Sequence, residues 1–321
     1  MRYLSVCSGI EAASVAWEPL KWEAAGFAEI EPFPCAVLQH HYPKVKNFGD
    51  FTKIGKDDVG AIDLLVGGTP CQDFSLAGLR AGLAGDRGAL TIEFLHLAER
   101  LRPRWLVWEN VPGVLSADGG RAFGAFLGLL GKLGYGFAYR VFDAQYFGLA
   151  QRRRRVFVVG HFGDWRRAAA VLFESHSLSG SPAPRRKKRK GATLGIEIGS
   201  GGGCVTEVSP TLVTAFSCKD DGGDATNDIS PTLRSMHHAD GGQPNGGGQV
   251  AIASEASVRR LLPVECEKLQ GFPPGYTLVP YRGKPASDSS RYRSLGNSMA
   301  VPVMNWIGRR IDLVNKHAAN R

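Results

Sequence analysis

Short apolar runs alternate with amphipathic stretches from Tyr3 to Gly160, the pattern of repeated strand–helix units. Tyr3-Leu4-Ser5-Val6 predicts a first strand, and Ile10 to Ala25 predicts a helix with Ala13, Val15, Ala16 and Leu20 toward one side. Phe27 to Ile30 predicts the second strand, and a helix through Ala36-Val37-Leu38 follows it. Ile62-Asp63-Leu64-Leu65-Val66 reads as a buried strand that runs directly into Gly67-Gly68-Thr69-Pro70-Cys71. Further elements are predicted over Leu90 to Leu101 (helix, ended by Pro103), Trp105 to Trp108 (strand), Phe123 to Leu133 (helix) and Val156 to Gly160 (strand). The order implies an α/β fold, a Rossmann-like parallel sheet with helices on both faces.

The pattern breaks after Asp164. Glycine, serine, proline and polar residues dominate up to about Ser254, and helical periodicity returns from Val258 to Leu313. This predicts a large domain from 1–163 and 258–321, interrupted by a small glycine-rich domain over 164–257. A weak repeat marks the insertion, Val208-Ser209-Pro210-Thr211-Leu212 against Ile229-Ser230-Pro231-Thr232-Leu233.

Composition narrows the class. An apolar content of 43% over 321 residues supports a sizeable core. No apolar run is long enough for a membrane span, and Met1 to Ser5 does not open a signal-peptide pattern, so no membrane and a cytoplasmic location are expected. The six cysteines are scattered without metal-type spacing, so neither disulfides nor a metal are expected. Of the formal charge of +9, the run Arg185 to Lys190 supplies six, a local excess suited to an anionic polymer or to a solvated tether.

The candidate chemistry gathers where the predicted strands end, the edge at which open α/β sheets bind ligands. Cys7-Ser8-Gly9-Ile10-Glu11 is a turn opening a helix, Glu31 could hold a ribose diol, and Asp50 could accept from an adenine amino group. Cys71 follows a strand ended by two glycines and a proline, a geometry that permits close backbone approach. A thiol, the carboxylate Glu109 and arginines beside a nucleoside cofactor suit addition to an electron-poor ring.

Pro70-Cys71-Gln72, Glu109-Asn110-Val111, Gln151-x-Arg153-x-Arg155, the stretch Arg260 to Pro273 and Gly296-Asn297-Ser298 occur in an order that resembles the DNA (cytosine-5)-methyltransferases of bacteria and bacteriophages. The resemblance implies S-adenosyl-L-methionine as cofactor, S-adenosyl-L-homocysteine as its product, and duplex DNA as partner. It implies Cys71, Glu109, Arg153 and Arg155 as catalytic residues, with Gly9, Ile10, Glu31, Asp50, Phe51, Pro70, Leu90, Asn297 and Ser298 around the cofactor. The insertion falls where the family keeps its target-recognition region, and Gln72 to Gly88 is the expected clamp over an extruded base. A monomer is expected, with room for a cognate restriction endonuclease.

Two departures stand out. The family's aromatic-x-Gly-x-Gly turn carries Cys7 for the aromatic and Glu11 for the second glycine, and an adenine-stacking aromatic is replaced by Pro32. Rival chemistries lack their signatures: no His-x-Glu for a zinc deaminase, no Asn/Asp-Pro-Pro-aromatic segment for exocyclic-amine methylation, and no Cys-Phe-Thr of the tRNA-acting branch. A tRNA cytosine-5 methyltransferase and a non-catalytic, sequence-specific DNA-binding protein on the same scaffold stay open at this point.

Overall fold

The computed structural model describes residues 1–70, 90–174, 214–217, 226–227, 230–233, 250–254 and 257–319. Cys71, the expected clamp and the basic run Arg185 to Lys190 lie outside the described residues. Contacts divide the chain into two compact units, Met1–Phe142 with Arg154–Ala183 and Ser298–Arg321, and Asp143–Arg153 with Pro184–Asn297.

The first unit is built on a six-stranded sheet. Its strands are β1 (Arg2–Val6), β2 (Glu23–Ala28), β3 (Leu64–Gly67), β4 (Trp105–Asn110), β5 (Tyr135–Asp143) and β6 (Arg154–Phe162), in the order β2-β1-β3-β4-β6-β5. β2, β1, β3 and β4 pair in parallel, whereas β6 runs antiparallel to β4, so the sheet is mixed rather than wholly parallel. The edge strand β5 escaped prediction because its alternation is interrupted by glycine and its buried positions are few.

Alternation along the strands sends side chains to two helical layers. On one face Leu4, Val6, Leu106 and Trp108 join the core under α4 (Leu90–Leu101) and α5 (Arg121–Lys132). Trp108 lies 4.5 Å from Phe126 by ring centroids, an aromatic contact that adds to the area it buries. On the other face Tyr3 meets Trp17 edge-on, and Trp17 belongs to α1 (Ala12–Trp17). The long α9 (Val301–Ala319) packs on that side, with Trp17 Nε1 donating to Met304 O at 2.8 Å and Trp105 Nε1 to Asn315 Oδ1 at 3.1 Å.

Several element boundaries differ from the sequence pattern. The helix expected from Ile10 to Ala25 is only the six residues of α1. Pro19 and the left-handed Lys21 (φ 55°) turn the chain, and β2 starts at Glu23, earlier than the expected Phe27. The helix expected around Ala36 to Leu38 is α2 (Pro32–His41), with prolines in its first turn, and the short α3 (Lys56–Val59) precedes β3. α6 (Trp165–Leu172) extends regular structure beyond Asp164.

The second unit contains α7 (Pro263–Gln270), α8 (Asp288–Asn297) and a four-stranded sheet of β7 (Thr214–Ser217), β8 (Thr226–Asn227), β9 (Val250–Ser254) and β10 (Ser257–Arg260). By contacts, 258–297 groups with the inserted segment, and the return to the first unit begins at Ser298. A buried carboxylate organises the α7–α8 corner. Glu267 is wholly buried, accepts from Gly275 N at 2.6 Å, from Thr277 N at 2.8 Å and from the Thr277 hydroxyl, and pairs with Arg291 at 3.1 Å.

Candidate active site

In the first unit the ends of β1 to β4 and the start of β6 share one edge of the sheet, because β6 is antiparallel. At or just beyond that edge lie Gly9, Ile10, Glu31, Pro70, Glu109 and Arg155. Glu109 stands at the end of β4 opposite Phe157, and Arg155 lies two residues away on the same face of β6, a diagonal neighbour within reach of a long side chain. Their charges meet, Arg155 Nε to Glu109 Oε1 at 3.1 Å, with both side chains largely buried. Burial strengthens such a pair and fixes the carboxylate toward the edge.

The two glycines before the proposed nucleophile have steric causes in the protein itself. A Cβ on Gly67 would come within 2.7 Å of Val6 Cγ2 and 2.8 Å of Val6 O, and one on Gly68 within 3.0 Å of Glu109 Oε2 and 3.2 Å of the Met299 methyl. These glycines let the backbone approach β1 and Glu109 closely. The next residue is held on two sides: the buried Thr69 accepts from Trp108 Nε1 at 3.0 Å, exchanges a 2.9 Å hydrogen bond with Thr91, and its carbonyl accepts from Asn110 Nδ2 at 2.9 Å. Pro70 follows, exposed, and the chain leaves for Cys71 from this anchored point.

The turn after β1 carries three left-handed residues, Cys7 (φ 49°), Gly9 (φ 56°) and Glu11 (φ 66°). Ile10 is fully buried, whereas the space where a Gly9 side chain would stand is open. Glu11 adopts the conformation that glycine favours and does so with a buried carboxylate. That carboxylate accepts from Ser5 Oγ at 2.8 Å and from Ser14 N and Oγ at 3.0 Å each. Burial pushes its pKa up to about 7, against the lowering by the serine bonds and with a smaller push from Glu29.

Glu29 is not among the residues that the motifs point to. Its carboxylate accepts the amides of Gly9 at 2.7 Å, Ile30 at 2.8 Å and Glu31 at 2.8 Å, so one side chain ties the β1 turn to the β2 end. The Gly9 amide is thereby engaged. Only a three-dimensional pairing could reveal this, since Glu29 and Gly9 are adjacent through strands and distant in sequence.

Glu31 is exposed at the start of α2. Asp50 caps a short turn through Thr52 N at 3.0 Å and Thr52 Oγ1 at 2.8 Å. Slight burial pushes its pKa up, but the Thr52 bonds and Lys53 outweigh this and keep it below the usual value. Phe51 is buried and Leu90, the first residue of α4, is half-buried. Ser298 is buried in the first unit, donating to Met299 O at 3.1 Å, while Asn297 ends the second unit, exposed. The open space at Gly9, the exposed Glu31 carboxylate and the deprotonated Asp50 fit a cofactor carrying a cation, a ribose and an adenine.

Arg153 belongs to the second unit. Its side chain is buried, with Nη1 donating to Leu233 O at 3.1 Å and Nη2 to Gly296 O at 3.0 Å. The two arginines of one short motif thus have different surroundings.

The family model for C-5 cytosine-specific DNA methylases matches residues 1–312. The chain belongs to that family. Members of the family are S-adenosylmethionine-dependent DNA cytosine methyltransferases, and the chain has the α/β fold of methyltransferases of known structure. A protein of Escherichia phage P1 named DNA N-6-adenine-methyltransferase is 36% identical over 96% of this chain, which spans 61% of that relative's length. The type II methyltransferase M2.BsuMI of Bacillus subtilis (strain 168) is 30% identical over 97% of this chain and 75% of its own. The crystal structure of the S. pombe Dnmt2 methyltransferase superposes with a TM-score of 0.67 at 15% identity, covering 99% of each chain. Among the described residues no helix is long and apolar enough to cross a membrane.

Proposed function

We propose that this methylase modifies carbon 5 of a cytosine flipped out of a specific duplex DNA sequence, through a covalent bond between Cys71 and carbon 6. The observation that carries the reading is the buried Glu109–Arg155 pair at 3.1 Å, on the sheet edge from which the chain leaves toward Cys71. Cytosine carbon 5 is a poor nucleophile, so the ring needs activation before it can take a methyl group. The Cys71 thiolate adds to carbon 6, its lone pair forming the S–C6 bond while the ring π-electrons move to carbon 5. Glu109 holds or protonates ring nitrogen 3 as negative charge develops, Arg155 donates to the exocyclic oxygen, and Arg153 steadies the site and nearby phosphate. Bound S-adenosylmethionine supplies the methyl group and is left as S-adenosylhomocysteine. Loss of the carbon 5 proton to a base returns electrons to the ring and expels Cys71 as thiolate. Carbon 6 is out of reach inside a duplex, so the base must be extruded at a cost of a few kcal/mol in stacking and pairing.

Gly9, Ile10, Glu31, Asp50, Phe51, Pro70, Leu90, Asn297 and Ser298 are proposed to surround the cofactor, and the segment over 164–257 to read the target. Duplex DNA is the proposed partner, in a cytoplasmic setting. The adenine-specific name of the phage P1 relative marks a second reading. Exocyclic-amine chemistry would use an Asn/Asp-Pro-Pro-aromatic segment, which this chain lacks. The test is Cys71→Ser: it is expected to abolish 5-methylcytosine formation while S-adenosylmethionine binding persists by calorimetry. Activity equal to wild type would remove the covalent mechanism.

A further inference from the structure

The repeated Ser-Pro-Thr-Leu tetrapeptide has no part in the chemistry above, yet its second copy, Ser230 to Leu233, is the described piece of the inserted segment with the most hydrogen bonds to the motif Gln151 to Arg155. Ser230 forms a parallel bridge with Gln151: Ser230 N donates to Ala150 O at 2.7 Å and Arg152 N to Ser230 O at 2.9 Å. The Thr232 hydroxyl donates to Arg152 O, and Leu233 O accepts from Arg153 Nη1 at 3.1 Å. Ser230 and Gln151 are wholly buried and Leu233 is nearly so. Pro231 lacks an amide donor, so the pairing stops after one bridge and remains a clip rather than a strand.

Arg153 closes this clip. Its planar guanidinium spans two carbonyls from different segments, Leu233 of the inserted region and Gly296 at the end of α8, the residue before Asn297-Ser298. A lysine presents one compact charge and cannot reproduce that fork. With both Nη groups committed to carbonyls and the side chain 2% exposed, the arginine is arranged to hold segments in register.

We infer that Ser230 to Leu233 is the clip that registers the target-recognition region on the catalytic motif, with Arg153 as its positioning residue, so that this clip sets discrimination between DNA sequences. This rests on the chain being a DNA methyltransferase. From Leu233 the chain continues into glycine-rich sequence through Gly248. Loss of the clip loosens the register of the reading segment.

The experiment uses full-length Thr232→Val, Thr232→Ser and Arg153→Lys, with Thr211→Val in the first copy as comparison. Thr232→Val is expected to lower the ratio of methylation at the cognate duplex over a single-mismatch duplex about fivefold, with KM for DNA rising more than kcat falls; this is the scale of one net hydrogen bond. Thr232→Ser restores the ratio. Arg153→Lys, which keeps the charge, is expected to lose tenfold or more, with the salt dependence of DNA binding as in wild type. Amide hydrogen exchange at Ser230 and Arg152 should quicken in Thr232→Val, a readout that needs no methylation and so separates failure of the clip from failure of the enzymatic reading. Full discrimination in Thr232→Val, wild-type behaviour of Arg153→Lys, a salt slope reduced by about one in that variant, or a larger effect from Thr211→Val than from Thr232→Val would each overturn the inference.

Discussion

The two units each bury a glutamate almost completely and satisfy it by different means. In the second unit Glu267 has a cation, Arg291 at 3.1 Å, together with two backbone amides and a threonine hydroxyl. In the first unit Glu11 has two serine hydroxyls and one amide and, among the described residues, no cation at hydrogen-bond distance, and its pKa climbs to about 7. The same side chain is therefore a locked strut in one place and a titrating group in the other. The difference matters because Glu11 forms the turn beside Gly9, whereas Glu267 holds α7 to α8.

The largest effect should come from breaking the strut. Arg291→Met leaves a wholly buried carboxylate with two amides and the Thr277 hydroxyl, and a loss of about 3–5 kcal/mol in unfolding free energy is expected by denaturant titration. A loss below about 1 kcal/mol would mean that these neutral donors suffice and that the contrast with Glu11 is false.

Titration sharpens the other side. Because the folded pKa of Glu11 is raised from 4.5 to about 7, the protonated form is the one the fold favours. The associated stability is complete below the unfolded value and is lost as pH rises through the folded one. Glu11→Gln imitates the protonated form at every pH. The stability gap between this variant and wild type should open from near zero at pH ~4.5 to roughly 3 kcal/mol above pH ~7, with the variant the more stable. A gap that stays flat with pH would show that Glu11 is not the titrating group.

A smaller effect is expected at the opposite side of the same edge. Gly68→Ala puts a methyl 3.0 Å from Glu109 Oε2, so the carboxylate must shift from Arg155. Methylation is expected to fall about tenfold in kcat while stability changes by about 1 kcal/mol. An unaffected kcat would detach Glu109 from the chemistry.

Sequence alone disclosed the ends of the parallel strands well, since apolar runs closed by glycine or proline punctuate β1, β3 and β4. It misjudged α1 and β2 because the apolar positions from Ile10 to Ala25 stay roughly helical through Pro19, and the break is local. The antiparallel β6 could not be foreseen, because strand direction depends on the connection through β5, whose weak alternation hid it. Of the site, the charged pair Glu109 and Arg155 was legible through motif order. Glu29 was not, since its role is a contact across two strands, and the role of Arg153 emerges only from carbonyls supplied by distant segments.

The central claim is that the chain methylates cytosine at carbon 5, and the most direct measurement is bisulfite sequencing of DNA from a methylation-free host expressing it, beside N6-methyladenine detection on the same DNA. Protected cytosines within one recurring short sequence, absent from the Cys71→Ser host, are the expected result. Complete conversion of every cytosine together with N6-methyladenine would contradict the account.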